Sequence, residues 1–246
     1  MSGRGAAAGS IGDHYRTFGA RMLVSLSAAR AGAVPGVRSP VDAIIAIMPT
    51  RLTHTRPRAL AVWLIIAGAV GLLAAFELTV EKFHLLAEPG STASCDVNIV
   101  VQCGKNLDSW QGAVFGFPNP LLGLVGWVAP IAVGVAILAG ARFARWFWWL
   151  FWAGTAFAFG FVAWLIVQSV YVLGTLCPWC MVTWIVTIPT FYAVTLHLLR
   201  SGLMPAPERV RAAADTLMGW LPLLAILSYA VIALIAQLRL DWIGTL

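Results

Sequence analysis

The chain has 246 residues, of which 60% are hydrophobic and 11% are charged. A soluble domain carries about 25% charged residues, so this composition excludes an ordinary soluble fold and indicates a polytopic membrane protein. The formal net charge of +6 does not indicate a nucleic-acid-binding protein. Its basic residues lie at the ends of apolar segments rather than in a patch with interleaved aromatic side chains.

The N-terminal region, residues 1–57, is basic and rich in Gly, Ala and Ser. It contains no apolar core followed by a small-residue cleavage site, so it does not resemble a secretory signal. We predict a basic cytoplasmic tail without fixed structure. The alternative is a short basic amphipathic helix over Phe18–Leu26 that lies on the membrane surface.

The apolar segments that follow are long enough to cross a bilayer, which needs about 20 helical residues. The stretch from Trp146 to Leu199 has no charged residue and is too long for one crossing. Gly174 and Pro178 indicate where it folds back. We predict an all-α, five-helix transmembrane bundle within a domain spanning residues 58–246. The expected spans are Ala59–Phe76, Asn119–Gly140, Trp146–Tyr171, Trp179–Leu199 and Thr216–Leu238.

The distribution of Lys and Arg predicts how the bundle is oriented. With the N-terminus inside, the inner segments carry 13 of the 16 basic residues. Only Lys82, Lys105 and Arg239 are then outside, as the positive-inside rule requires. We therefore predict a multi-pass protein of the inner or plasma membrane, with a cytoplasmic N-terminus, an extracytoplasmic C-terminus and a long outer loop, residues 77–118.

The cysteines form two pairs, both predicted at the outer face, where an oxidising environment preserves disulfides. Cys177 and Cys180 form a Cys-x-x-Cys motif, a reversible two-electron unit. The first turn of a helix favours a thiolate there. Beside Trp179 and Trp184, this thiolate is placed to react with a flat, lipid-soluble acceptor such as a quinone. A purely structural role for the motif is the alternative.

Cys95 and Cys103 lie in the polar outer loop, which we expect to be mobile. Thiol–disulfide exchange requires direct sulfur–sulfur contact. One cysteine of this pair is expected to meet the thiol of a soluble partner, and the other to pass electrons to the Cys-x-x-Cys motif. The alternatives are a stable structural disulfide and a zinc site made of all four thiolates, although the spacing fits zinc poorly.

Two polar residues flank the apolar run 110–117 near the outer membrane surface. Ser109 precedes this run and Asn119 follows it. Either side chain is able to hydrogen-bond a quinone carbonyl, and either is also suited to capping a helix. The four histidines show no ligand spacing, and we assign no metal.

The ordered set of motifs resembles the vitamin K epoxide reductase family, over about residues 58–238. The set comprises Cys95 and Cys103 separated by seven residues, Ser109 six residues later, the entry Phe117-Pro118-Asn119-Pro120-Leu121, and Cys177-x-x-Cys180 opening a later helix. More specifically, the chain resembles the bacterial homologues that support disulfide formation.

The resemblance implies a four-helix core around a quinone pocket. It implies that Cys180 reacts with the quinone, that Cys177 exchanges with Cys103, and that Cys95 receives electrons from a thioredoxin-like, DsbA-like protein. Ser109 matches the polar residue of the family near its active site, and Asn119 lies near a polar substrate contact of some members.

Further expectations follow from how this chain matches and departs from the family. Thr183 is kept after the motif, whereas Trp184 stands where the vertebrate enzymes carry a tyrosine. No thioredoxin-like domain follows the fifth span, so we expect a separate partner protein. The expected cofactor is menaquinone or ubiquinone, with phylloquinone-like analogues as alternatives. A small transporter or scaffold with structural disulfides is the alternative function, although the spans lack midplane charges and repeated halves.

Overall fold

The computed structural model describes residues 57–241 and 243–244. This part of the chain is helical, and five of its helices are long and apolar enough to cross a membrane. The predicted all-α, five-span class is therefore confirmed. Residues 1–56 of the predicted N-terminal tail lie outside the described residues, and both interpretations of the tail stay predictions.

Helix α5 lies at the centre of the bundle, since it contacts α1, α4, α6 and α7. It is also the most buried of the five long helices. The elements in chain order are α1 (Arg58–Ala87), α2 (Gly104–Asp108), a 3-10 turn (Trp110–Ala113), α3 (Asn119–Ala139), α4 (Arg145–Val167), a π-helical continuation of α4 (Gln168–Leu173), α5 (Pro178–Arg200), α6 (Glu208–Gly219) and α7 (Leu221–Leu240).

The long uncharged stretch folds back where its helix-breaking residues predict. Gly174 ends the π-helical segment with a φ of 67°, a left-handed conformation that glycine adopts without steric cost. Pro178 occupies the first turn of α5, where its missing N–H breaks no helical hydrogen bond. The Cys-x-x-Cys motif therefore opens the central helix of the bundle.

Helix α1 continues to Ala87, well beyond the predicted end of the first span at Phe76. The prediction ended the span at Phe76 because the charged residue Glu77 follows it. Two charged residues on the added turns, Glu81 and Lys82, are instead paired with residues of the loop. The Glu81 carboxylate accepts hydrogen bonds from the backbone N–H of Ser94, at 3.0 and 3.2 Å. The connection between the first two spans is therefore shorter than predicted.

The last span begins at Leu221 rather than at Thr216. Residues Glu208–Gly219 form a separate helix, α6, and Trp220 lies between the two. Pro222 explains the break, because proline within a continuous helix would lose one backbone hydrogen bond and clash with the preceding turn.

Glycines let α1 and α3 approach closely, as is common between membrane helices. A Cβ atom on Gly71 would overlap the Trp127 ring, and one on Gly134 would lie 2.6 Å from the backbone oxygen of Ala61. These positions admit no side chain without movement of the Trp127 ring or of the neighbouring helix backbone. The glycines therefore set the spacing of this helix pair.

Candidate redox site

Cys95 and Cys103 form a disulfide in the connection between α1 and α3, with a Cα–Cα distance of 5.7 Å. Cys103 is fully buried, whereas Cys95 is half-buried. Cys103 packs in an apolar cluster with Leu78 and Leu107. Of the two sulfurs in this disulfide, that of Cys95 is therefore the more accessible to a soluble thiol.

Cys177 and Cys180 are free thiols at the start of α5. Cys177 is the N-cap residue, and its Sγ accepts a hydrogen bond from the Cys180 N–H at 3.3 Å. Cys177 is fully buried and Cys180 is half-buried. Cys180 lies in the first helical turn, two residues after Pro178.

The two cysteine pairs meet through their buried members. Cys177 Sγ lies 3.4 Å from Cys103 Sγ, and both side chains belong to one apolar cluster. Exchange between the pairs requires such direct contact, because it proceeds through a mixed disulfide. A formed disulfide therefore lies beside a free thiol of the Cys-x-x-Cys motif.

A short parallel β-bridge joins the segments that precede Cys103 and Cys177. The Gln102 N–H donates to the Leu176 carbonyl at 3.0 Å, and the Leu176 N–H donates to the Val100 carbonyl at 2.7 Å. Gln102 and Leu176 are the residues directly before the two cysteines. These bonds attach the Cys103 end of the loop to the segment that leads into α5. We had expected this loop to be mobile, and its Cys103 end is instead held in place.

Two carboxylates that sequence reasoning missed shape the loop around the disulfide. One is Glu81, which binds the N–H of Ser94. The other is Asp96, whose Oδ1 accepts hydrogen bonds from the N–H groups of Cys103 at 2.7 Å and Gly104 at 3.0 Å. Asp96 Oδ2 accepts a third from Ala93 at 3.2 Å. In the sequence, the position of Asp96 directly after Cys95 could have indicated this role, because aspartate commonly folds a loop by binding nearby backbone N–H groups.

Ser109 and Asn119 both bind the backbone of the segment between them. The Ser109 hydroxyl donates to the Asn106 carbonyl at 2.7 Å and accepts from the Gly112 N–H at 3.2 Å. Asn119 accepts from the Val114 N–H at 3.2 Å and donates to the Gln111 carbonyl at 2.7 Å. Both residues therefore shape the 3-10 turn and the start of α3.

The remaining predicted site residues surround Cys180 on α5. Trp179 packs on the cluster that holds the buried cysteines. Trp184 is buried in a second apolar cluster, against which Cys180 and Met181 pack. The Thr183 hydroxyl donates to the Cys180 carbonyl at 2.7 Å, which leaves the aromatic and apolar side chains as the main surroundings of the half-buried thiol.

An open apolar groove of about 660 Å³ lies between α4, α5 and α7. Its lining includes Phe159, Ile188 and Ile232, with the hydroxyls of Tyr192 and Ser228 in contact at 3.0 Å. None of the predicted quinone-contacting residues lines this groove. The predicted quinone pocket thus remains a prediction.

Comparison with known proteins assigns the family. No curated protein matches the chain significantly. The family model of the vitamin K epoxide reductase family matches residues 62–195, which is more than half of the chain and includes all four cysteines. With its five apolar helices and two adjoining cysteine pairs, this chain belongs to the vitamin K epoxide reductase family, and it is a membrane redox enzyme of the thiol–disulfide type.

Proposed function

We propose that this protein reoxidises a separate extracytoplasmic thioredoxin-like protein, of the DsbA type, and passes the electrons to a membrane quinone. The observation that carries the proposal is the 3.4 Å contact between Cys103 Sγ of the disulfide and Cys177 Sγ of the Cys-x-x-Cys motif. Two structural disulfides would have no need of this contact, whereas an electron relay requires it.

Electrons enter through Cys95, the half-buried sulfur of its pair. A thiolate of the partner attacks Cys95 Sγ, a partner–Cys95 bond forms, and Cys103 leaves as a thiolate. The second thiol of the partner then attacks the partner sulfur that is bonded to Cys95, and Cys95 leaves as a thiolate. The partner departs oxidised, and the electron pair stays on the Cys95–Cys103 dithiol.

The internal step transfers this pair across the buried contact. The Cys103 thiolate attacks Cys177 Sγ of an oxidised Cys-x-x-Cys motif, and Cys180 leaves as a thiolate. Cys95 then attacks Cys103, which restores the Cys95–Cys103 disulfide and releases Cys177. This step forms a Cys95–Cys103 disulfide beside two reduced α5 cysteines, and the presence of that pairing in the structure supports the proposed order.

Cys180 is the cysteine that faces the acceptor in this scheme. It is half-buried, it lies in the first turn of α5, and it packs against apolar side chains that include Trp184, so its surroundings fit a flat apolar ring. A quinone held beside Cys180 would take up the two electrons and two protons that oxidation of the Cys177–Cys180 dithiol releases. Cys177 and Cys180 thereby return to the disulfide.

We propose that Asn119, Trp179, Thr183 and Trp184 hold the quinone ring directly, and that Ser109 contributes to this site through the turn before Asn119. Asn119 Nδ2 carries two N–H bonds and gives one to the Gln111 carbonyl, so a second donor remains for a quinone oxygen. The Ser109 hydroxyl donates to a backbone carbonyl. Its part is to fix the turn that leads to Asn119.

We also propose that residues 58–246 form the redox domain, behind a basic cytoplasmic tail, and that both cysteine pairs face the outside. Two arguments support this orientation. The inner segments would carry most of the basic residues. An oxidising outer compartment also holds the thioredoxin-like partner and keeps the Cys95–Cys103 disulfide formed.

Quinone reduction by the purified full chain tests the relay. A reduced thioredoxin-like dithiol is added with a water-soluble quinone, and quinone absorbance is followed with each cysteine replaced in turn. Cys180→Ser is expected to abolish turnover while it leaves the helical circular dichroism spectrum and the Cys95–Cys103 disulfide intact. Turnover retained in this variant would overturn the proposal.

Labelling of intact, reduced cells with a membrane-impermeant thiol reagent tests the orientation. We expect the reagent to reach Cys95 from outside the cell, and to label the Cys95→Ser variant less. Labelling of Cys180 from the cytosol alone would place the two pairs on opposite faces, which contradicts the proposed path.

A further inference from the structure

A small polar cluster connects the two cysteine-bearing elements next to the sulfur contact. Asn106 lies three residues after Cys103, and Thr175 lies two residues before Cys177. Thr175 is fully buried and its neighbour Ser169 is 4% exposed. Because a buried polar group is costly unless it is hydrogen-bonded, such a cluster beside an apolar core indicates a specific role for its bonds.

Asn106 makes the bonds that cross between the elements. Its Nδ2 donates to Thr175 Oγ1 at 2.8 Å and to the Gln102 carbonyl at 3.2 Å. Its Oδ1 lies 3.4 Å from Ser169 Oγ, which also donates to the Thr175 carbonyl. One side chain thus bonds the turn around Cys103 and the segment that leads into Cys177.

We infer that Asn106 is a positioning residue that holds Cys103 Sγ within reach of Cys177 Sγ, an inference that rests on the proposed relay. The β-bridge attaches the two segments on the N-terminal side of both cysteines, through Leu176. The hydrogen bonds of this bridge end at Gln102, before Cys103. The bond from Asn106 to Thr175 adds a second attachment on the other side of Cys103.

The step that this second attachment accelerates is the internal exchange. The Cys103 thiolate attacks Cys177 Sγ, the Cys103–Cys177 bond forms, the Cys177–Cys180 bond breaks, and Cys180 takes the electron pair as a thiolate. Orientation of two reacting atoms raises their effective concentration, so loss of the attachment lowers it. Asn106 itself touches no reacting atom.

The test uses the full chain with Cys95→Ala and Cys180→Ala, so that only Cys103 and Cys177 remain. The protein is equilibrated with mixtures of reduced and oxidised glutathione, and the fraction of the Cys103–Cys177 disulfide gives the effective concentration of the two thiols. Asn106→Leu keeps a similar volume but removes the bonds. It is expected to lower the effective concentration about tenfold, the loss typical of one hydrogen bond.

Two further variants keep the test decisive. Thr175→Val removes the acceptor of the same bond with little change in volume, so it should cause a similar loss, and the double variant with Asn106→Leu should add little to it. Lys105→Ala, an exposed neighbour on α2, is the control and should leave the effective concentration unchanged.

The inference is overturned if Asn106→Leu and Thr175→Val both keep the effective concentration within twofold of the parent. A loss of thermal stability alone, with that concentration unchanged, would show a merely structural role and overturn it equally. Neither quinone nor partner protein is present in the glutathione mixtures. Failure of the proposed relay would instead be seen in wild-type quinone turnover, so the two failures are distinguishable.

Discussion

Replacement of Asp96 by alanine is expected to make the Cys95–Cys103 disulfide easier to reduce. The Asp96 carboxylate accepts three backbone hydrogen bonds, from Ala93, Cys103 and Gly104, and so closes the same loop that the disulfide closes. When the disulfide is reduced, this carboxylate still holds Cys103 near Cys95. Without it the reduced loop gains conformational freedom, and reforming the disulfide costs more entropy.

The size of the effect follows from the number and kind of these bonds. A hydrogen bond to a charged group contributes about 1.5–3 kcal/mol. Asp96 is half-buried and part of its network persists in both redox states, so we take the equivalent of one such bond as the difference. Since about 1.4 kcal/mol corresponds to 30 mV for a two-electron couple, the reduction potential should rise by about 30–60 mV.

The potential is measured by equilibrating the protein with dithiothreitol buffers and trapping free thiols. Cys177→Ala and Cys180→Ala are introduced so that only one disulfide is titrated. Asp96→Asn, which keeps one carbonyl oxygen for the Cys103 N–H, should give a smaller rise. Asp108→Ala is the matched control, because this 60%-exposed aspartate of the same connection forms an ion pair with Lys82 rather than bonds to the loop backbone around Cys103.

A potential of Asp96→Ala within about 10 mV of the parent would refute the reasoning, since that shift is well below one hydrogen bond. An equal rise in Asp108→Ala would also refute it, because the effect would then reflect net charge rather than loop closure. A fall in potential would show that Asp96 favours the open, reduced loop.

Two predictions concern the helix packing that carries the site. Gly134→Ala should destabilise the protein by about 1–3 kcal/mol in detergent unfolding, because its Cβ would meet the backbone oxygen of Ala61 at 2.6 Å. The control is Gly126→Ala, whose Cβ meets nothing within 4 Å, and equal effects of the two would contradict the packing account. Trp63→Phe removes the 3.1 Å hydrogen bond from Nε1 to Thr190 Oγ1 between α1 and α5. It should cost about 0.6 kcal/mol in the same assay, and a double-mutant cycle with Thr190→Val that shows no coupling would contradict this.

The sequence predicted the fold class and the spans because both depend on local properties of the chain. Apolar segments of sufficient length indicate membrane helices, and glycine or proline indicates where they end. Gly174 and Pro178 mark the fold-back that the structure has. The bounds of the first and last spans were predicted less well. Glu81 extends the first helix by binding the backbone of Ser94, and Pro222 separates the last helix from the one before it. A hydropathy pattern registers neither effect.

Which cysteines of the two pairs contact each other was predicted only from the family resemblance. The order and spacing of the motifs associated Cys103 with Cys177, and the structure places their sulfurs 3.4 Å apart. Ser109 and Asn119 were named as candidates, but their spacing left open whether they cap helices or bind a ligand. The structure shows both bound to the backbone of the turn between them.

By itself the sequence determined that this is a five-span membrane protein with two cysteine pairs, one of which opens a helix. Only the tertiary structure decided how the pairs are held together. The partners of Asp96 and Glu81 lie in a folded loop, and the bond from Asn106 to Thr175 joins residues 69 positions apart in the chain. Such contacts depend on how separate segments pack against one another, which no local pattern of residues records.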